Sequence, residues 1–598
     1  MPEVRYTELT DSTTANNKMK ITLAQLNPTI GDIDGNITLM RTAAEQAVRD
    51  GASIVVFPEL SLTGYYPADL LDDEDFQMRM ERGLVKLLDT SADFPDLYMV
   101  AGAPTHNPGV GKPFRNSLLV LKGGEQVLSY HKQLLPTYNI FDERRHFEPG
   151  PDVAEVLTVA GVRIGLLICE DGWNDKGEDY AVNPFERVAS MRPDLIVSIN
   201  ASPSHMDKRA QRHEVFGHAC TRHGLPLVYV NQVGGHDQLV YDGASFAVEP
   251  SKGVVFEANR FEEDVVTLEF IDGMFRLPTD TGAEPSVKPV VLVVRRTIGP
   301  VDPRGIPTME FYRRQIVLGL QDYARRCGFT KAVVGCSGGI DSALTLALAV
   351  EALGADNVVG ITMPSEYSSE GSVSDSQVLC DNLGIKLLTH PIRAQVDSYK
   401  AQFELTTGVP LAGLALENVQ ARIRGTILME YSNSFGHLLL TTGNKSEISV
   451  GYCTLYGDTN GGLGLIGDLY KTEVFALCRH INEMAGREII PVAIIDKPPS
   501  AELAPGQKDT DSLPPYEVLD ELLKVLIEGK LLAREERATA QTEMTRLNST
   551  EDGRNLIARI KKMIARNEYK RRQAPPVLRL RARAFGSGRQ VPIAAKHY

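Results

Sequence analysis

A glycine-rich run near the middle of the chain has the residue types and the spacing of a phosphate-binding loop. It spans residues 335–342, which are Gly335, Cys336, Ser337, Gly338, Gly339, Ile340, Asp341 and Ser342. The apolar residues of 331–334 before it are typical of a buried strand, and those of 343–350 after it are typical of a packed helix. Such a strand, loop and helix direct backbone N–H groups and a helix N-terminus at a bound phosphate. The alternative is an ordinary turn made of small residues.

The side chains of this loop fit the same chemistry. Gly338 and Gly339 lack a Cβ atom and let the backbone approach an anion closely, while Ser337 and Ser342 can donate hydroxyl hydrogen bonds. Asp341 carries a negative charge, which is unfavourable beside a phosphate unless a divalent cation lies between the two. The run is neither a Walker A sequence nor a Gly-x-Gly-x-x-Gly fingerprint. It resembles the pyrophosphate loop of the ATP pyrophosphatase superfamily, which implies that ATP is split between its α and β phosphates to adenylate an oxygen of the substrate.

The first half of the chain carries a candidate nucleophile at the end of a predicted strand. Cys169 follows the apolar residues 164–168 and precedes Glu-Asp-Gly-Trp, so its thiol is expected to open from a buried strand into a turn. Glu59 likewise follows the predicted strand 54–57, and Lys132 lies in a His-Lys-Gln-Leu-Leu-Pro segment. Taken singly, Cys169 could be a small core residue, and Glu59 and Lys132 could be surface charges.

Together these three residues resemble the Glu-Lys-Cys triad of the nitrilase and amidase superfamily. Phe-Pro-Glu-Leu at 57–60, Thr-Gly-Tyr at 63–65 and Ile-Cys-Glu-Asp at 168–171 match that family's motifs. The resemblance implies amide hydrolysis through a thioester. Glu59 would take the thiol proton and later activate water, Cys169 would attack the carbonyl, and Lys132 would stabilise the oxyanion and lower the pKa of the thiol.

A pair of histidines in the same half is similar to the histidine pair of a zinc-binding helix. His213 and His218 are five residues apart, with Glu214 between them, whereas a His-Glu-x-x-His site needs a spacing of four to put both rings on one helical face. We therefore do not expect a metal there.

An amidase and an ATP pyrophosphatase loop in one chain are similar to the glutamine-dependent NAD⁺ synthetase family. The resemblance covers roughly residues 19–598 and is supported by further motifs at 416–425, 442–447, 456–458, 467–472 and 567–576. It implies hydrolysis of glutamine, adenylation of deamido-NAD⁺ by ATP with Mg²⁺, and attack of the released ammonia to give NAD⁺, AMP and pyrophosphate. An enclosed path for ammonia and a homo-oligomer are also expected.

The same resemblance assigns further residues, each on a matching motif. For glutamine binding they are Tyr138, Ser202, Lys208 and Glu143; for ATP, Thr442 and Lys471 in addition to the loop; for deamido-NAD⁺, Asn418, Glu447 and Lys570; and for magnesium, Asp341 and Glu447. Lys208 suits the α-carboxylate of glutamine, and Glu143 could orient either Lys132 or the substrate amine. The basic segment 561–589 is expected to fold over the anionic substrates; its alternatives are a solvated face or an RNA-binding arm.

Composition narrows the class of protein. The 598 residues carry a net charge of -14, which argues against general binding to nucleic acid or an anionic membrane. The seven cysteines form no Cys-x-x-Cys pair, and an odd, sparse set suggests a reducing compartment. The sequence shows no apolar segment of transmembrane length and no signal peptide at its polar start. We therefore expect a cytoplasmic enzyme whose partners are small molecules.

The elements that must position these residues follow from the apolar segments. Predicted strands lie at 21–26, 53–57, 97–101, 117–121, 162–168, 195–199, 227–230, 358–362 and 438–442, and a helix is predicted at 311–326. We expect a flexible tail at 1–18, a nitrilase-like α-β-β-α sandwich at 19–290, and a doubly wound parallel sheet at 291–598. Two other functions remain open: an amidotransferase that aminates a different acceptor, such as a nucleotide base, and a non-enzymatic dinucleotide-binding scaffold.

Overall fold

The chain folds into two compact units. The computed structural model describes residues 18–278, 297–302, 305–500, 502–504 and 506–595. The first unit consists of the residues up to Gly234 together with Tyr241–Gly305, and the second of Gly235–Val240 together with the residues from Ile306 onward. The predicted tail, apart from Lys18, and the predicted boundary near residue 290 lie outside the described residues.

The first half of the chain is rich in strands. In order they are β1 (Lys18–Gln25), β2 (Ile54–Val56), β3 (Tyr98–His106), β4 (Phe114–Lys122), β5 (Glu125–His131), β6 (Val156–Val159), β7 (Val162–Ile168), β8 (Leu195–Asn200), β9 (Leu227–Asn231), β10 (Val233–His236), β11 (Leu239–Asp242), β12 (Phe246–Glu249), β13 (Gly253–Glu257), β14 (Asp264–Ile271) and β15 (Met274–Arg276). One sheet has seven strands in the order β15-β14-β1-β2-β3-β4-β5, and a second has six in the order β13-β12-β9-β8-β7-β6.

These two sheets face each other across one apolar core. Leu23 and Val56 enter it from the seven-stranded sheet, and Leu166 and Val197 enter it from the six-stranded sheet; all four are fully buried. The helices are α1 (Ile33–Arg49), α2 (Glu74–Ala92), α3 (Pro184–Ser190) and α4 (Lys208–His223). The first two pack on the outside of the seven-stranded sheet and the last two on the outside of the six-stranded sheet. This α-β-β-α sandwich confirms the predicted fold class.

Strand β7 shows how the sequence builds these layers. Ile164, Leu166 and Ile168 point into the core between the sheets, while Leu167 packs on the other face in the cluster under α3 and α4. Because both faces are buried, residues 164–168 of the strand are all apolar instead of alternating with polar residues. A Cβ atom on Gly165 would lie 2.6 Å from Val188 of α3, so the glycine permits close packing of that helix.

The candidate residues of the first unit follow the ends of parallel strands. β2 runs parallel to β1 and β3, and β7, β8 and β9 run parallel to one another. Glu59 comes shortly after β2, and Cys169 comes directly after β7. The two residues therefore enter from the two facing sheets, while Lys132 directly follows β5.

The second unit contains a five-stranded sheet in which every neighbouring pair is parallel. The strands are β16 (Ala332–Gly335), β17 (Val358–Thr362), β18 (Lys386–Thr389), β19 (Leu438–Thr441) and β20 (Leu463–Gly464), in the order β18-β17-β16-β19-β20. The chain leaves β16 first toward β17 and β18 and later returns to β19 on its other side. In open sheets of this kind, ligands bind at the carboxyl ends of the strands where the order reverses.

Helices cover both faces of this sheet, which confirms the doubly wound arrangement. The helices that follow residue 306 are α5 (Thr308–Arg326), α6 (Ile340–Leu353), α7 (Glu370–Leu383), α8 (Arg393–Thr407), α9 (Gly413–Phe435), α10 (Lys445–Val450), α11 (Lys471–Ala485), α12 (Val492–Asp496), α13 (Tyr516–Leu523), α14 (Arg534–Asn548), α15 (Glu551–Arg566) and α16 (Glu568–Arg571). Val333 and Leu439 pack against α8 and α9 on one face, and α6 packs against β16 and β17 on the other. In the parts of the chain that the structure describes, every helix is too short or too polar to span a lipid bilayer.

Candidate active sites

The centre of the first candidate site is a buried lysine between two carboxylates. The Lys132 Nζ atom lies 2.7 Å from Glu59 Oε1 and 2.7 Å from Glu143 Oε1, and none of the three side chains is more than 1% exposed. Burial alone would lower the pKa of Lys132, but the charges of Glu143 and Glu59 outweigh it, so that this pKa is raised. Burial raises the pKa of Glu143 to about 7, against the attraction of Lys132. Lys132 is therefore a fixed positive charge in a site that excludes water, as an oxyanion-stabilising group must be.

The Glu59 carboxylate is held by donors from both sheets. Its Oε1 atom also accepts a hydrogen bond from Asn116 Nδ2 at 2.7 Å, and Asn116 lies on β4 of the seven-stranded sheet. Its Oε2 atom accepts from the backbone N–H of Ala201 at 2.9 Å, directly after β8 of the six-stranded sheet. These donors fix the position of the carboxylate, which suits a group that must accept a proton from one defined direction.

Cys169 occupies a backbone conformation that L-residues rarely adopt. Its φ angle is +43°, and Leu60, next to Glu59, has a φ angle of +48°. Cys169 begins a short 3₁₀ helix, Cys169–Gly172, at the end of β7. A non-glycine residue in the left-handed region is strained and persists only where the surrounding structure holds it in place. Such residues cluster at active sites. The chain therefore turns at Cys169 directly after the strand, as the sequence predicts.

The net shift in the pKa of Cys169 differs from the expectation. Burial, followed by the negative charge of Glu59, raises the pKa of the thiol well above its usual value. Lys132 does lower this pKa, as expected, but it is outweighed. A thiol with a raised pKa needs a base in order to react as a nucleophile, and Glu59, whose charge acts on this thiol, is the candidate base.

Glu170 directly follows the candidate nucleophile Cys169 and accepts a hydrogen bond from one of the predicted glutamine contacts. Glu170 is 6% exposed, and its Oε1 atom accepts hydrogen bonds from Tyr180 at 2.8 Å and from Tyr138 at 3.2 Å. Tyr138 is half-exposed, so its ring lies at the surface while its hydroxyl reaches Glu170. Burial and Glu170 both raise the pKa of Tyr138, which keeps the phenol a donor at every physiological pH.

The other two predicted glutamine contacts follow β8 of the six-stranded sheet. Ser202 follows β8 and is buried; its hydroxyl accepts a hydrogen bond from Arg212 Nε at 3.1 Å and can still donate one. Lys208 begins α4, and its Nζ atom lies 3.6 Å from the centre of the Trp173 ring, a cation–π contact. Trp173 directly follows the short turn that begins at Cys169, so this contact places the Lys208 ammonium beside that turn.

Asp171 lies in the turn that begins at Cys169 and accepts hydrogen bonds from residues on both sides of Lys132, a role that was not predicted from the sequence. Its Oδ1 atom accepts from the backbone N–H groups of Gln133 and Leu134 at 3.0 and 2.8 Å, and its Oδ2 atom accepts from the Tyr130 hydroxyl at 2.8 Å. Burial raises the pKa of Asp171 to about 6, against these hydrogen bonds. Proximity to Cys169 in the motif at 168–171 was the available signal.

The histidine pair of α4 is not part of any cluster of three metal-binding side chains among the described residues. His213 Nε2 lies 2.9 Å from Glu257 Oε2 and forms an ion pair when protonated. Among the described residues, the only group of three metal-binding side chains within reach of one another is Asp69, Asp72 and His146, of which both aspartates are exposed.

The second candidate site begins with the predicted phosphate loop. β16 ends at Gly335 and α6 begins at Ile340, so the loop joins a strand to a helix as expected. Gly338 has a φ angle of +74°, and a Cβ atom there would lie 2.3 Å from the carbonyl oxygen of Ser372, so no other residue fits without displacement. Gly339 caps α6 without a side-chain hydrogen bond, which leaves the helix N-terminus available to an anion.

This loop lines a cavity of about 280 Å³ at the reversal of strand order, together with residues that follow β19. The predicted site residues on its wall are Gly335, Cys336, Ser337, Gly339, Ile340, Asp341, Ser342, Thr442, Glu447 and Lys471. Gly338, Asn418 and Lys570 are not part of the wall. Arg424 also lines it, and burial lowers the pKa of its guanidinium to about 10, a cation that sequence reasoning did not single out within the 416–425 motif.

Two predicted magnesium ligands converge on one ammonium group. Lys471 Nζ lies 2.5 Å from Asp341 Oδ2 and 3.2 Å from Glu447 Oε1, and Asn444 Nδ2 donates to Asp341 Oδ1 at 2.9 Å. Burial raises the pKa of Glu447 to about 8, against the attraction of Lys471. Two carboxylates that face one cationic position beside a phosphate loop supply the hard oxygen donors that magnesium prefers, so these residues fit the ion.

The two remaining dinucleotide candidates hold the segment after α10. Asn418 Oδ1 accepts from the Thr454 hydroxyl at 2.8 Å. Lys570 Nζ donates to the carbonyl oxygens of Gly451 and Cys453 at 2.8 and 2.7 Å. Both therefore brace residues 451–454, and direct contact with a dinucleotide stays a prediction.

Some arginines of the basic segment 561–589 make contacts that differ from the expectation. Arg581 is fully buried and forms ion pairs with Glu473 at 2.6 Å and Glu528 at 2.8 Å. Arg571 is also buried and pairs with Glu568 at 2.8 Å. For these arginines the expectation of a cover over anionic substrates is wrong, because they neutralise the protein's own carboxylates.

Comparison with known families matches both halves of the chain. The carbon-nitrogen hydrolase family model matches residues 20–272, and the NAD synthase family model matches residues 312–574. The glutamine-dependent NAD(+) synthetase of Synechocystis sp. is 43% identical over 583 residues, covering 96% of this chain and 98% of that protein. The enzyme of the same name from Thermotoga maritima is 39% identical over 592 residues, with the same coverage.

A solved structure agrees with the sequence relatives. The glutamine-dependent NAD⁺ synthetase of Acinetobacter baumannii in complex with ADP is 33% identical, covers 96% of this chain and 98% of its own, and superposes with a TM-score of 0.72. A glutamine-dependent NAD(+) synthetase from Cytophaga hutchinsonii, 19% identical with a TM-score of 0.77, supports the fold.

Proposed function

Because this chain belongs to the glutamine-dependent NAD⁺ synthetase family, we propose that its two candidate sites divide the reaction of that family between them. The chain is a carbon–nitrogen ligase that hydrolyses glutamine to glutamate and ammonia and uses ATP to amidate deamido-NAD⁺ to NAD⁺, through an adenylated dinucleotide, with release of AMP and pyrophosphate. The Cys169 site releases the ammonia, and the 335–342 loop binds ATP.

In the first half-reaction, Cys169 attacks the side-chain amide of glutamine. Glu59 accepts the thiol proton as the sulfur bonds to the carbonyl carbon, which the raised pKa of Cys169 requires. Lys132 stabilises the oxyanion, and the Glu59 proton leaves with ammonia. Glu59 then activates the water that hydrolyses the thioester, restoring the thiol and releasing glutamate.

The predicted glutamine contacts have distinct proposed roles. Glu143 orients Lys132 in preference to the substrate amine, because its Oε1 atom already accepts from Lys132 and from the Tyr65 hydroxyl, each at 2.7 Å. Ser202 and Lys208 bind the polar groups of glutamine, with Lys208 on its α-carboxylate. Tyr138, whose hydroxyl donates to Glu170, binds glutamine from the exposed edge of the site.

In the second half-reaction, the phosphate loop, Thr442 and Lys471 bind ATP. Asp341 and Glu447 would hold Mg²⁺, which when bound supplies charge neutralisation for the departing pyrophosphate. The helix N-terminus at Ile340 orients the phosphates. Asn418, Glu447 and Lys570 are proposed to position deamido-NAD⁺, whose carboxylate oxygen attacks the α-phosphorus. Ammonia then displaces AMP.

The observation that carries this proposal is the Lys132 ammonium held at 2.7 Å by both Glu59 and Glu143, in a chain that also contains the phosphate loop. The test is a product balance with purified protein. With glutamine, glutamate, AMP and NAD⁺ should form together; with ammonium, AMP and NAD⁺ should form without glutamate. Amination of a nucleotide base in place of deamido-NAD⁺ would contradict the acceptor.

We further propose that the chain is a cytoplasmic homo-oligomer. The support is the resemblance together with the reducing conditions that seven free cysteines suggest. Light scattering of the purified protein and fractionation of the source cells test the two statements, and a monomer or a membrane-associated fraction would contradict them.

A further inference from the structure

The thiol groups of two buried cysteines in the second unit have no part in the chemistry proposed above. Cys336 is the second residue of the phosphate loop, directly after β16; it is 1% exposed and lines the cavity of this unit. Cys380 lies on α7 and is fully buried. Although the two residues are far apart in the sequence, the fold brings their side chains together, so that their thiols can react with each other.

The parallel pairing of β16 with β17 provides the space in which these side chains meet. Gly360 lies on β17, and the backbone N–H of Cys336 donates to the carbonyl oxygen of the next residue, Ile361, at 2.8 Å. A Cβ atom on Gly360 would lie 3.2 Å from Cys380 Sγ and 3.7 Å from Cys336 Cβ. Both cysteine side chains therefore lie over the same glycine, and the absence of a Cβ atom there leaves room for the Cys380 sulfur.

A hydrogen bond joins the two thiol groups and makes them unequal. The bond from Cys380 lowers the pKa of Cys336 against the effect of burial, and Ser376 and the Gly338 N–H lower it further. The same bond, followed by burial, raises the pKa of Cys380. Cys336 also lies shortly before the N-terminus of α6 at Ile340, and a thiolate in such a position is the form of cysteine that oxidants attack. Cys336 is therefore the nucleophile of the pair, and Cys380 is the thiol beside it.

We propose that Cys336 and Cys380 are a peroxide-sensitive dithiol, whose oxidation to an intramolecular disulfide reversibly blocks ATP binding. Hydrogen peroxide reaches Cys336 through the cavity. The Cys336 thiolate attacks one peroxide oxygen and the O–O bond breaks, which leaves a sulfenic acid and hydroxide. Cys380 then attacks the sulfenic sulfur, so that the S–S bond forms, the S–O bond breaks and a second hydroxide leaves. Each hydroxide takes up one thiol proton to become water, and the two electrons lost by the thiols reduce the peroxide.

Closure of this disulfide must displace the phosphate loop. A covalent S–S bond is shorter than the hydrogen bond that it replaces, so Cys336 is drawn toward α7. The loop has little freedom on that side, because a Cβ atom on Gly338 would already lie 2.3 Å from the carbonyl oxygen of Ser372 on α7. The backbone N–H groups that bind the phosphates therefore move. The effect on ATP rests on the function proposed above, whereas formation of the disulfide does not.

Disulfide mapping tests the proposal on the whole chain, and ammonium as the nitrogen source keeps the Cys169 site out of the assay. Reduced protein, freed of reductant, is treated with hydrogen peroxide, and its non-reduced digest is analysed by mass spectrometry. We expect a peptide pair joined through Cys336 and Cys380, at least a tenfold loss of AMP formation, and recovery with dithiothreitol. Absence of this disulfide, or undiminished AMP formation in the chain that carries it, would overturn the proposal.

A matched pair of variants assigns the reversible loss to these cysteines. Cys380→Ala removes the second thiol, and Cys220→Ala removes an equally buried thiol of the first unit. With excess peroxide, the Cys336 sulfenic acid of Cys380→Ala meets no thiol and oxidises on to the sulfinic acid. Its loss of AMP formation should therefore resist dithiothreitol, while Cys220→Ala should recover as the wild type does. Full recovery of Cys380→Ala would contradict the role of Cys380.

A measurement on the wild-type chain covers the case in which a variant does not fold. Saturating α,β-methylene-ATP, which cannot be split between its α and β phosphates, fills the cavity that Cys336 lines and should slow disulfide formation at least tenfold. An unchanged rate with the analogue bound would contradict the entry of peroxide through this cavity. If the reduced wild type forms AMP but peroxide gives no disulfide, this inference fails and the proposed function stands. If it forms no AMP with either nitrogen source, the proposed function fails, while the disulfide is still decided by its mass.

Discussion

Replacing Lys132 by methionine would remove the positive charge from the first site while retaining an unbranched side chain. A surface lysine tolerates this change, since its stem is apolar and its charge is solvated. Lys132 is 1% exposed and contacts two carboxylates at 2.7 Å. Loss of one preorganised donor in an acyl-transfer site lowers turnover by about 10²–10³-fold. We expect at least that loss with glutamine, and persistence of NAD⁺ formation from ammonium, because that reaction does not need the oxyanion group.

The same change should alter stability with a definite pH dependence. Removing one partner of a buried charge pair destabilises a protein by about 3–5 kcal/mol, and here Glu59 and Glu143 both lose their counterion. The pKa of Glu143 is already raised to about 7, and loss of Lys132 raises it further. An acid with a raised pKa in the folded state stabilises the fold least at high pH. The stability deficit of Lys132→Met should therefore increase as the pH rises above about 7, the folded pKa of Glu143 in the wild type, toward the higher folded pKa of Glu143 in the variant.

Three measurements check this reasoning against a matched control, Lys112→Met, which changes an exposed lysine. They are glutamate release, urea unfolding at an acidic and an alkaline pH, and the rate at which iodoacetamide alkylates Cys169. Since Lys132 lowers the pKa of that thiol, its loss should slow alkylation near neutral pH. Near-normal glutamine turnover together with a normal alkylation rate in Lys132→Met would refute the oxyanion role.

Strands buried on both faces were predictable from the sequence. The predicted strands 162–168 and 358–362 have the bounds that the structure gives to β7 and β17. β5 was missed although it ends directly before Lys132. Its sequence, Glu-Gln-Val-Leu-Ser-Tyr-His, is largely polar because β5 lies at the edge of the sheet and is only partly covered. Edge strands lack the apolar signal that a sequence pattern can detect.

The three residues of the proposed triad could be singled out from local sequence motifs, whereas Asn116 could not. Asn116 lies within β4 and has no neighbouring signal in the sequence. It reaches the site only because β4 pairs with β5, so that its carbonyl accepts from the Lys132 N–H at 2.8 Å and its amide donates to Glu59. Functional residues that depend on strand register can be found only after the fold is known.

Ion pairs between residues that are far apart in the sequence could not be predicted from local motifs either. Arg581 appeared to be part of a basic surface, but its partners Glu473 and Glu528 lie more than fifty residues away in sequence. The same holds for Cys169, whose pKa depends on burial and on Glu59 as well as on Lys132. The sign of each pairwise effect could be predicted from residue types, while the net effect required the burial of every group.

Three further substitutions separate the two sites. Cys169→Ala should abolish glutamate release and glutamine-dependent NAD⁺ formation but preserve synthesis from ammonium; loss of both in a folded variant would show that the thiol serves more than ammonia release. Asp341→Asn, which keeps the size but not the charge, should abolish AMP formation with either nitrogen source, and unchanged turnover with unchanged Mg²⁺ dependence would contradict its role. Gly338→Ala tests the loop geometry itself. The new Cβ atom would lie 2.3 Å from the Ser372 carbonyl oxygen at a φ angle of +74°, so the loop must shift. Affinity for a fluorescent ATP analogue should fall by at least tenfold. Glutamate release at a saturating glutamine concentration should continue. Normal ATP affinity in Gly338→Ala would mean that the phosphates are bound elsewhere than at the N-terminus of α6, because a nucleotide seated there cannot tolerate displacement of the residues that hold it.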